Sequence, residues 1–406
     1  VSDLRIRPVP ESDLDKILGL GDTVFHQRTE GAARERLTWL PRRADRVGVH
    51  QGDELVGFLA ALPLRLSVPG GELDCAGVTQ VGVLPTHRRR GVLTAMIDRL
   101  WELAAERAQP LAALYAAEAA IYGRFGFGLA TRALKVEVDA SRPLDLRVDP
   151  DPRPLRMVPY ERAAEELGPL YERARARRPG QLHRDPQWWT HMTVPRLSQE
   201  HEDRTLPRVV VLDGDPGGYA IYRTHSGDGP TGAGTVHLEE LEADDPRVRA
   251  TLWRYLASID LTGHVKGWSL PVDEPLPLMA ADPDQVTVTR DRGMLWLRLV
   301  DVPAALSRRS WATDDELVLG VRDDRLPANQ GTWRLRTGPG GATCERADAA
   351  PDLSLDVRDL ASVYLGGYQA AQLVRGGIVT EHTPGAAARL DAALAVPLAP
   401  FCSDDF

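Results

Sequence analysis

The 406-residue sequence predicts an α+β fold divided among three domains. Three observations carry that expectation. An N-terminal series of extended segments leads into a strand, a basic glycine turn, a helix and another strand; the same rhythm recurs beyond a proline-rich stretch; and a further strand-rich region starts near Leu295. A chain of this length also exceeds what one ordinary hydrophobic core serves.

Residues 4–9 read as a short strand, and Glu11, Ser12 and Asp13 before Leu14, Ile17, Leu18 and Val24 have the cap and apolar spacing of an amphipathic helix. Extended runs at 46–50, 55–68 and 72–83 are separated by the turn signals Gln51-Gly52-Asp53 and Pro69-Gly70-Gly71, which predicts an antiparallel meander. After Val83 the period changes: Val92, Leu93, Met96, Ile97, Leu100, Leu103 and Ala104 share one helical face, and an apolar run at 111–116 follows. This β-α-β unit closes a first domain over 1–138, with the strand at 295–300 a candidate to complete it.

The polar, proline-rich residues 139–154 read as a linker into a second domain over 139–294, with a helix at 160–175 and strands at 208–212 and 218–224. Residues 235–256 then repeat the strand-turn-helix rhythm, with Val236-His237-Leu238 as strand and Leu252, Trp253, Tyr255 and Leu256 on the helix. The two turns differ in chemistry. Thr86-His87-Arg88-Arg89-Arg90-Gly91 in the first copy is matched by Glu242-Ala243-Asp244-Asp245-Pro246-Arg247 in the second, which has no glycine and three acidic groups that repel a phosphate. The second unit therefore reads as a duplicated fold that has lost its ligand. A third domain covers 301–406, with strands between 316 and 355 and helices near Asp359 and Ala387.

Composition narrows the function. No run approaches the ~20 apolar residues of a membrane span, and the chain opens on a polar, charged segment unlike a signal peptide, so a cytoplasmic protein without membrane attachment is expected. Cys75, Cys344 and Cys402 are far apart and lack histidines at metal spacing, which predicts neither a disulfide framework nor a metal site. A formal charge of −9 argues against nucleic acid as a partner and suits a cationic substrate.

The segment that carries chemistry is Arg88-Arg89-Arg90-Gly91-Val92-Leu93. A helix start exposes unpaired N–H groups and the positive end of the helix dipole; glycine permits close approach of backbone to phosphate, and arginines neutralise a diphosphate. Its place after a strand and before a helix is the context such a turn requires.

The pattern resembles the GNAT acyltransferases, whose fourth strand and following helix carry Arg/Gln-x-x-Gly-x-Gly/Ala; here it runs Arg88-x-x-Gly91-x-Leu93, with leucine in the last position. More narrowly, Pro85-Thr86-His87-Arg88-Arg89-Arg90-Gly91 together with Ile121-Tyr122-Gly123-Arg124-Phe125-Gly126-Phe127-Gly128 resembles the enhanced intracellular survival (Eis) acetyltransferases, over the whole chain. The resemblance implies tandem GNAT domains, the first active and the second degenerate, followed by a sterol-carrier-like α/β domain. It also implies acetyl-CoA as co-substrate and a homohexamer made from two trimers.

Carried over by position, the resemblance has Val81, Gly82 and Val83 bind the pantetheine arm through the backbone, as an added strand binds a sheet edge. Arg89, Arg90, Gly91, Val92, Leu93 and Thr94 would hold the diphosphate, and Ala117 and Glu118 would lie beside the acyl end, where the subfamily often has serine at the first position. Tyr122 becomes the general acid for the leaving thiolate. The carboxylate of Phe406 becomes the general base, its pKa raised by burial and by Asp404 and Asp405. His87, in the diphosphate turn, is expected to be a solvated loop residue, and His26 has no assignable place. The implied acceptor is a primary amine of a multiply cationic small molecule, with aminoglycosides as the class. Lysine side chains of peptides are the alternative, and Gln27 stands where related enzymes can carry an acid. A reading of another class makes the C-terminal domain a lipid carrier.

Overall fold

The structure, a computed structural model, describes residues 4–194, 204–227 and 232–406; the opening residues 1–3 lie outside it. In the N-terminal region β1 (Leu4–Pro8), β2 (Asp45–Gln51), β3 (Glu54–Val68) and β4 (Gly71–Val83) form the expected antiparallel meander, with the Pro69-Gly70 turn closing the β3–β4 hairpin at Val68↔Gly71. α1 (Leu14–Phe25) and α2 (Gly31–Arg42) fill the crossover between β1 and β2. α3 (Val92–Glu106) leads to β5 (Leu111–Tyr115), which runs parallel to β4, and α4 (Ala119–Tyr122) precedes a short β6 (Gly128–Leu129). A strand at Leu295–Leu299 inserts between β5 and β6, so the strand near 295 does join the first sheet. The apolar face of α3 is buried through Val92, Met96, Ile97, Leu100, Trp101 and Ala104, packed with Leu59, Val78 and Leu114 from the sheet.

The chain separates into two units, one of Val1–Thr131, Arg178–Leu182 and Met294–Phe406, the other of Arg132–Arg177 and His183–Gly293. The crossing from the first sheet comes at Thr131, ahead of the 138 read from the sequence. Arg132–Asp139 pairs instead with Thr262–Pro271 and Val286–Gly293 in the second sheet. Alternation along a strand tells which face is buried, not which sheet it joins.

In the second unit a seven-stranded sheet carries the repeat: Gly234–Ala243 lies parallel to Thr262–Pro271, joined by the helix Pro246–Ala257. The start of this helix is closed to anions by its own side chains. Asp245 accepts from the Arg247 N–H at 2.7 Å, Pro246 has no N–H to offer, and Asp244 is held by Arg173 at 2.7 Å and Arg177 at 2.8 Å.

The C-terminal residues of the first unit build a five-stranded sheet in the order Gly341–Arg346, Gly331–Gly338, Asp315–Arg322, Leu353–Asp356, Thr380–Glu381, with Val357–Tyr364 and Ala386–Leu394 among its helices. The last residues return to the N-terminal sheet along the segment Arg178–Leu182. Ser67 of β3 donates through Oγ to the Arg178 carbonyl at 2.8 Å, and the Phe401 N–H donates to Pro179 at 3.0 Å. Phe401 and Cys402 are buried there, which fixes the direction of the tail toward β4. Among the described residues no helix is long and apolar enough to cross a membrane, and no cluster of three or more histidine, cysteine or acidic side chains could hold a metal.

Candidate active site

The site begins with a fault in the sheet. β4 pairs with β5 only from Cys75↔Leu111 to Val78↔Leu114, whereas its pairing with β3 continues to Gly57↔Val83. Between Phe58↔Gly82 and Ala60↔Thr79 the register shifts, placing Gln80 and Val81 opposite one residue of β3, with Gln80 in the left-handed region at φ 51°. The bulge turns β4 away from β5, so the edge of Val81, Gly82 and Val83 that faces β5 meets no strand. An extended amide-bearing chain fits such an edge.

Gln80 also ties down α2. Pro41 has no N–H, so the Leu37 carbonyl lacks its partner within the helix; Gln80 Nε2 donates to that oxygen at 2.8 Å.

Beside the open edge lies a groove of about 560 Å³, walled by Val81–Val83, His87, Arg88, Arg89, Gly91–Thr94, Glu118, Tyr122 and, opposite, Arg124 and Arg325. One end of the groove is formed by the start of α3. Arg89 at φ 60° and Gly91 at φ 81° are both left-handed, and no side chain caps the helix, so the first N–H groups of α3 are directed outward without a protein partner. The contrast with the self-capped helix at Asp245 is direct. His87 is not solvated as expected: it is 7% exposed, with its Nε2 2.6 Å from Gln51 Oε1 and its Nδ1 2.9 Å from Thr86 Oγ1. It braces the turn from below.

A second cavity, of about 290 Å³, opens on the other side of Tyr122. α1 and α2 supply Leu18, Phe25, Arg36 and Leu37, β4 supplies Val78 to Val81, and Tyr115, Ala117, Asp405 and Phe406 complete it. Phe406 is seated against Tyr115, ring centroids 5.5 Å apart in an edge-to-face arrangement, and above Gly77, where an added Cβ would lie 3.2 Å from its ring. Asp405 faces Arg36 at 4.0 Å, and Gln27 reaches Thr29 at 3.3 Å. Asp404 is buried and does not line the cavity.

Val81 and Tyr122 belong to both walls, so the groove and the cavity meet at Tyr122. Burial, and then the negative charge of Glu118, push the Tyr122 hydroxyl up to about 12. Its ring is held edge-on to Phe127 at 6.0 Å. Of the residues expected from the sequence, Gly82, Val83, Arg89, Gly91, Val92, Leu93, Thr94 and Glu118 line the groove and Ala117 and Phe406 the cavity, while Arg90 lines neither. Arg90 follows a left-handed residue and is exposed. Gln80, Arg36, Tyr115, Arg124 and Arg325 were not expected; Arg124 alone carried a local signal, standing two residues after Tyr122.

Fold and site together define an acetyltransferase of the GNAT type. Residues 5–130 match the model of an acetyltransferase (GNAT) domain, residues 180–299 a second such model, and residues 302–403 that of a sterol carrier protein domain. An uncharacterized N-acetyltransferase of Streptomyces avermitilis is 41% identical over 384 residues, 92% of this chain and 93% of the relative. N-acetyltransferase Eis of Mycobacterium tuberculosis is 34% identical over 86% of this chain and 85% of its own. The crystal structure of Eis1 from Mycobacterium abscessus superposes with a TM-score of 0.87 at 32% identity, covering 99% of this chain and all of that one. The chain belongs to the Eis family of N-acetyltransferases, and its GNAT fold implies acetyl-CoA as co-substrate.

Proposed function

We propose that the enzyme transfers the acetyl group of acetyl-CoA to a primary amine of a multiply cationic small molecule, with aminoglycosides as the class. The observation that carries this reading is the meeting of a phosphate-accepting groove and a separate cavity at one tyrosine, with the acid Asp405 and the terminal residue Phe406 on the cavity wall. In this reading Val81 to Val83 pair with the pantetheine amides, and the start of α3 holds the diphosphate with Arg89. Ala117 and Glu118 flank the acyl end. A carboxylate at Phe406 takes a proton from the attacking ammonium, and the freed amine adds to the thioester carbonyl. Collapse of the tetrahedral adduct breaks the C–S bond, and Tyr122 donates a hydrogen bond, then its proton, to the departing sulfur. The proton that the former amine nitrogen sheds on becoming an amide restores the Tyr122 hydroxyl, so that the products are the amide, the CoA thiol and one proton left on Phe406 for release to solvent. The homohexamer implied by the family resemblance and the cytoplasmic location expected from composition belong to the same proposal.

A second reading has an observation of its own. The cavity walls are largely apolar, through Ile17, Leu18, Phe25, Leu37, Leu40 and Val78, and Arg36 partly offsets Asp405. Such a lining favours a monoamine with an apolar body. Release of CoA thiol from acetyl-CoA, followed with aminoglycosides, polyamines, arylalkylamines and lysine peptides, separates the readings. Faster turnover with aminoglycosides is the expected result, preference for arylalkylamines selects the second reading, and no release with any amine overturns both.

A further inference from the structure

One part of the groove comes from outside the N-terminal domain. Arg325 lies in the turn after the strand Asp315–Arg322 of the sterol-carrier-like domain, yet it lines the same groove as Arg89, Gly91 and Thr94. Its position is built, not incidental. The Asp323 carboxylate accepts the N–H groups of Arg325 at 3.1 Å and Leu326 at 3.0 Å through one oxygen. Through the other it accepts Arg298 Nη2 at 2.5 Å and Asn329 Nδ2 at 2.9 Å. Asp323 is 4% exposed and Arg298 fully buried, the latter so close beneath Gly126 that a Cβ there would meet its guanidinium at 2.8 Å. Removing either member of this buried pair would leave the other as an uncompensated buried charge, which is costly. The turn is thereby locked to the strand Leu295–Leu299 and to the loop that follows Tyr122.

The locked turn holds Arg325 against the Phe125 ring, which Arg124 also contacts, and both residues line the groove. Arg325 Cζ stands 5.2 Å from the centroid of the Phe125 ring, and Arg124 Cζ stands 4.9 Å from the same centroid. No carboxylate among the described residues lies within ion-pair reach of Arg124, and Arg325 finds only Asp98, at 4.0 Å. Two guanidinium groups against one ring in the lining of the groove, with Asp98 at 4.0 Å the one carboxylate within ion-pair reach among the described residues, have the chemistry to receive an anion.

We infer that Arg325, with Arg124 beside it on Phe125, binds a phosphate of the nucleotide end of CoA, so that the C-terminal domain completes the cofactor site of the N-terminal one. This rests on acetyl-CoA being the co-substrate held in the groove. The ligand chemistry is an organic phosphate, either the 3′-phosphate or the diphosphate.

Calorimetric titration of the full chain with CoA and with 3′-dephospho-CoA tests it. Arg325→Gln is expected to weaken CoA about tenfold while leaving the melting temperature of the free protein unchanged, as loss of one partly exposed charge-assisted contact does. A loss seen with CoA but not with 3′-dephospho-CoA assigns the 3′-phosphate, and an equal loss with both assigns the diphosphate. Asp98→Asn, which removes the competing carboxylate, should tighten CoA about two- to threefold, a gain that no misfolded variant gives. Unchanged CoA affinity in Arg325→Gln, with the wild-type protein binding normally, overturns the inference alone. Failure of the wild-type protein to bind CoA overturns the cofactor reading beneath it.

Discussion

Addition of a single alanine after Phe406 is expected to lower kcat by about 100-fold or more, the range that loss of a positioned general base covers. One further residue moves a terminal carboxylate by ~3.8 Å, beyond the ~2.6–3.2 Å over which a base takes a proton. The aromatic ring would keep its seat, because Tyr115 and the space above Gly77 hold it independently of the carboxylate. The tail would keep its course as well, since Phe401 is bonded to Pro179 and buried. CoA binding, measured in the same preparation, should therefore be unchanged. Turnover equal to that of the unextended chain would remove the terminal carboxylate from the mechanism.

Tyr122→Phe is expected to reduce kcat by about 100-fold with little change in KM for either substrate. The substitution removes one oxygen from a ring already packed against Phe127, so folding and both cavities should persist. The pKa gives the effect its character. With the hydroxyl raised to about 12 by burial and Glu118, it is a weaker acid than a thiol of ordinary value, ~8.5. It therefore stays protonated while the sulfur departs and stabilises the developing thiolate by hydrogen bonding before the proton moves. For the same reason the wild-type rate should show no decline from ionisation of Tyr122 below about pH 11, because the neutral form persists until pH approaches its raised value. Near-normal turnover in Tyr122→Phe would end the general-acid assignment.

What could be read directly from the sequence was local. The α3 face, the hairpin turn at Pro69-Gly70 and the glycine at 91 each depend on neighbours within a few residues, and period, turn chemistry and helix-start composition report those neighbours. The acidic second turn was legible for the same reason, and the structure adds that Asp245 closes the helix start with its own carboxylate. Features set by distant partners were not legible. His87 is buried because β2 brings Gln51 to it, and Gln80 is left-handed because β3 and β4 slip in register. Arg132–Asp139 alternates like any half-buried strand and so gave no sign of which sheet would take it. Arg325 stands in an unremarkable turn, and only the buried Arg298–Asp323 pair, which joins residues of two domains, makes it part of the groove.

If the groove takes the co-substrate and the cavity the acceptor, as proposed, their meeting at Tyr122 is tested most directly by a crystal structure of the full chain bound to CoA. The CoA sulfur should lie within about 3.5 Å of the Tyr122 hydroxyl, with the diphosphate on the N–H groups of α3 and the pantetheine amides along Val81 to Val83. A sulfur out of hydrogen-bond reach of Tyr122, or a diphosphate bound away from the start of α3, would contradict it.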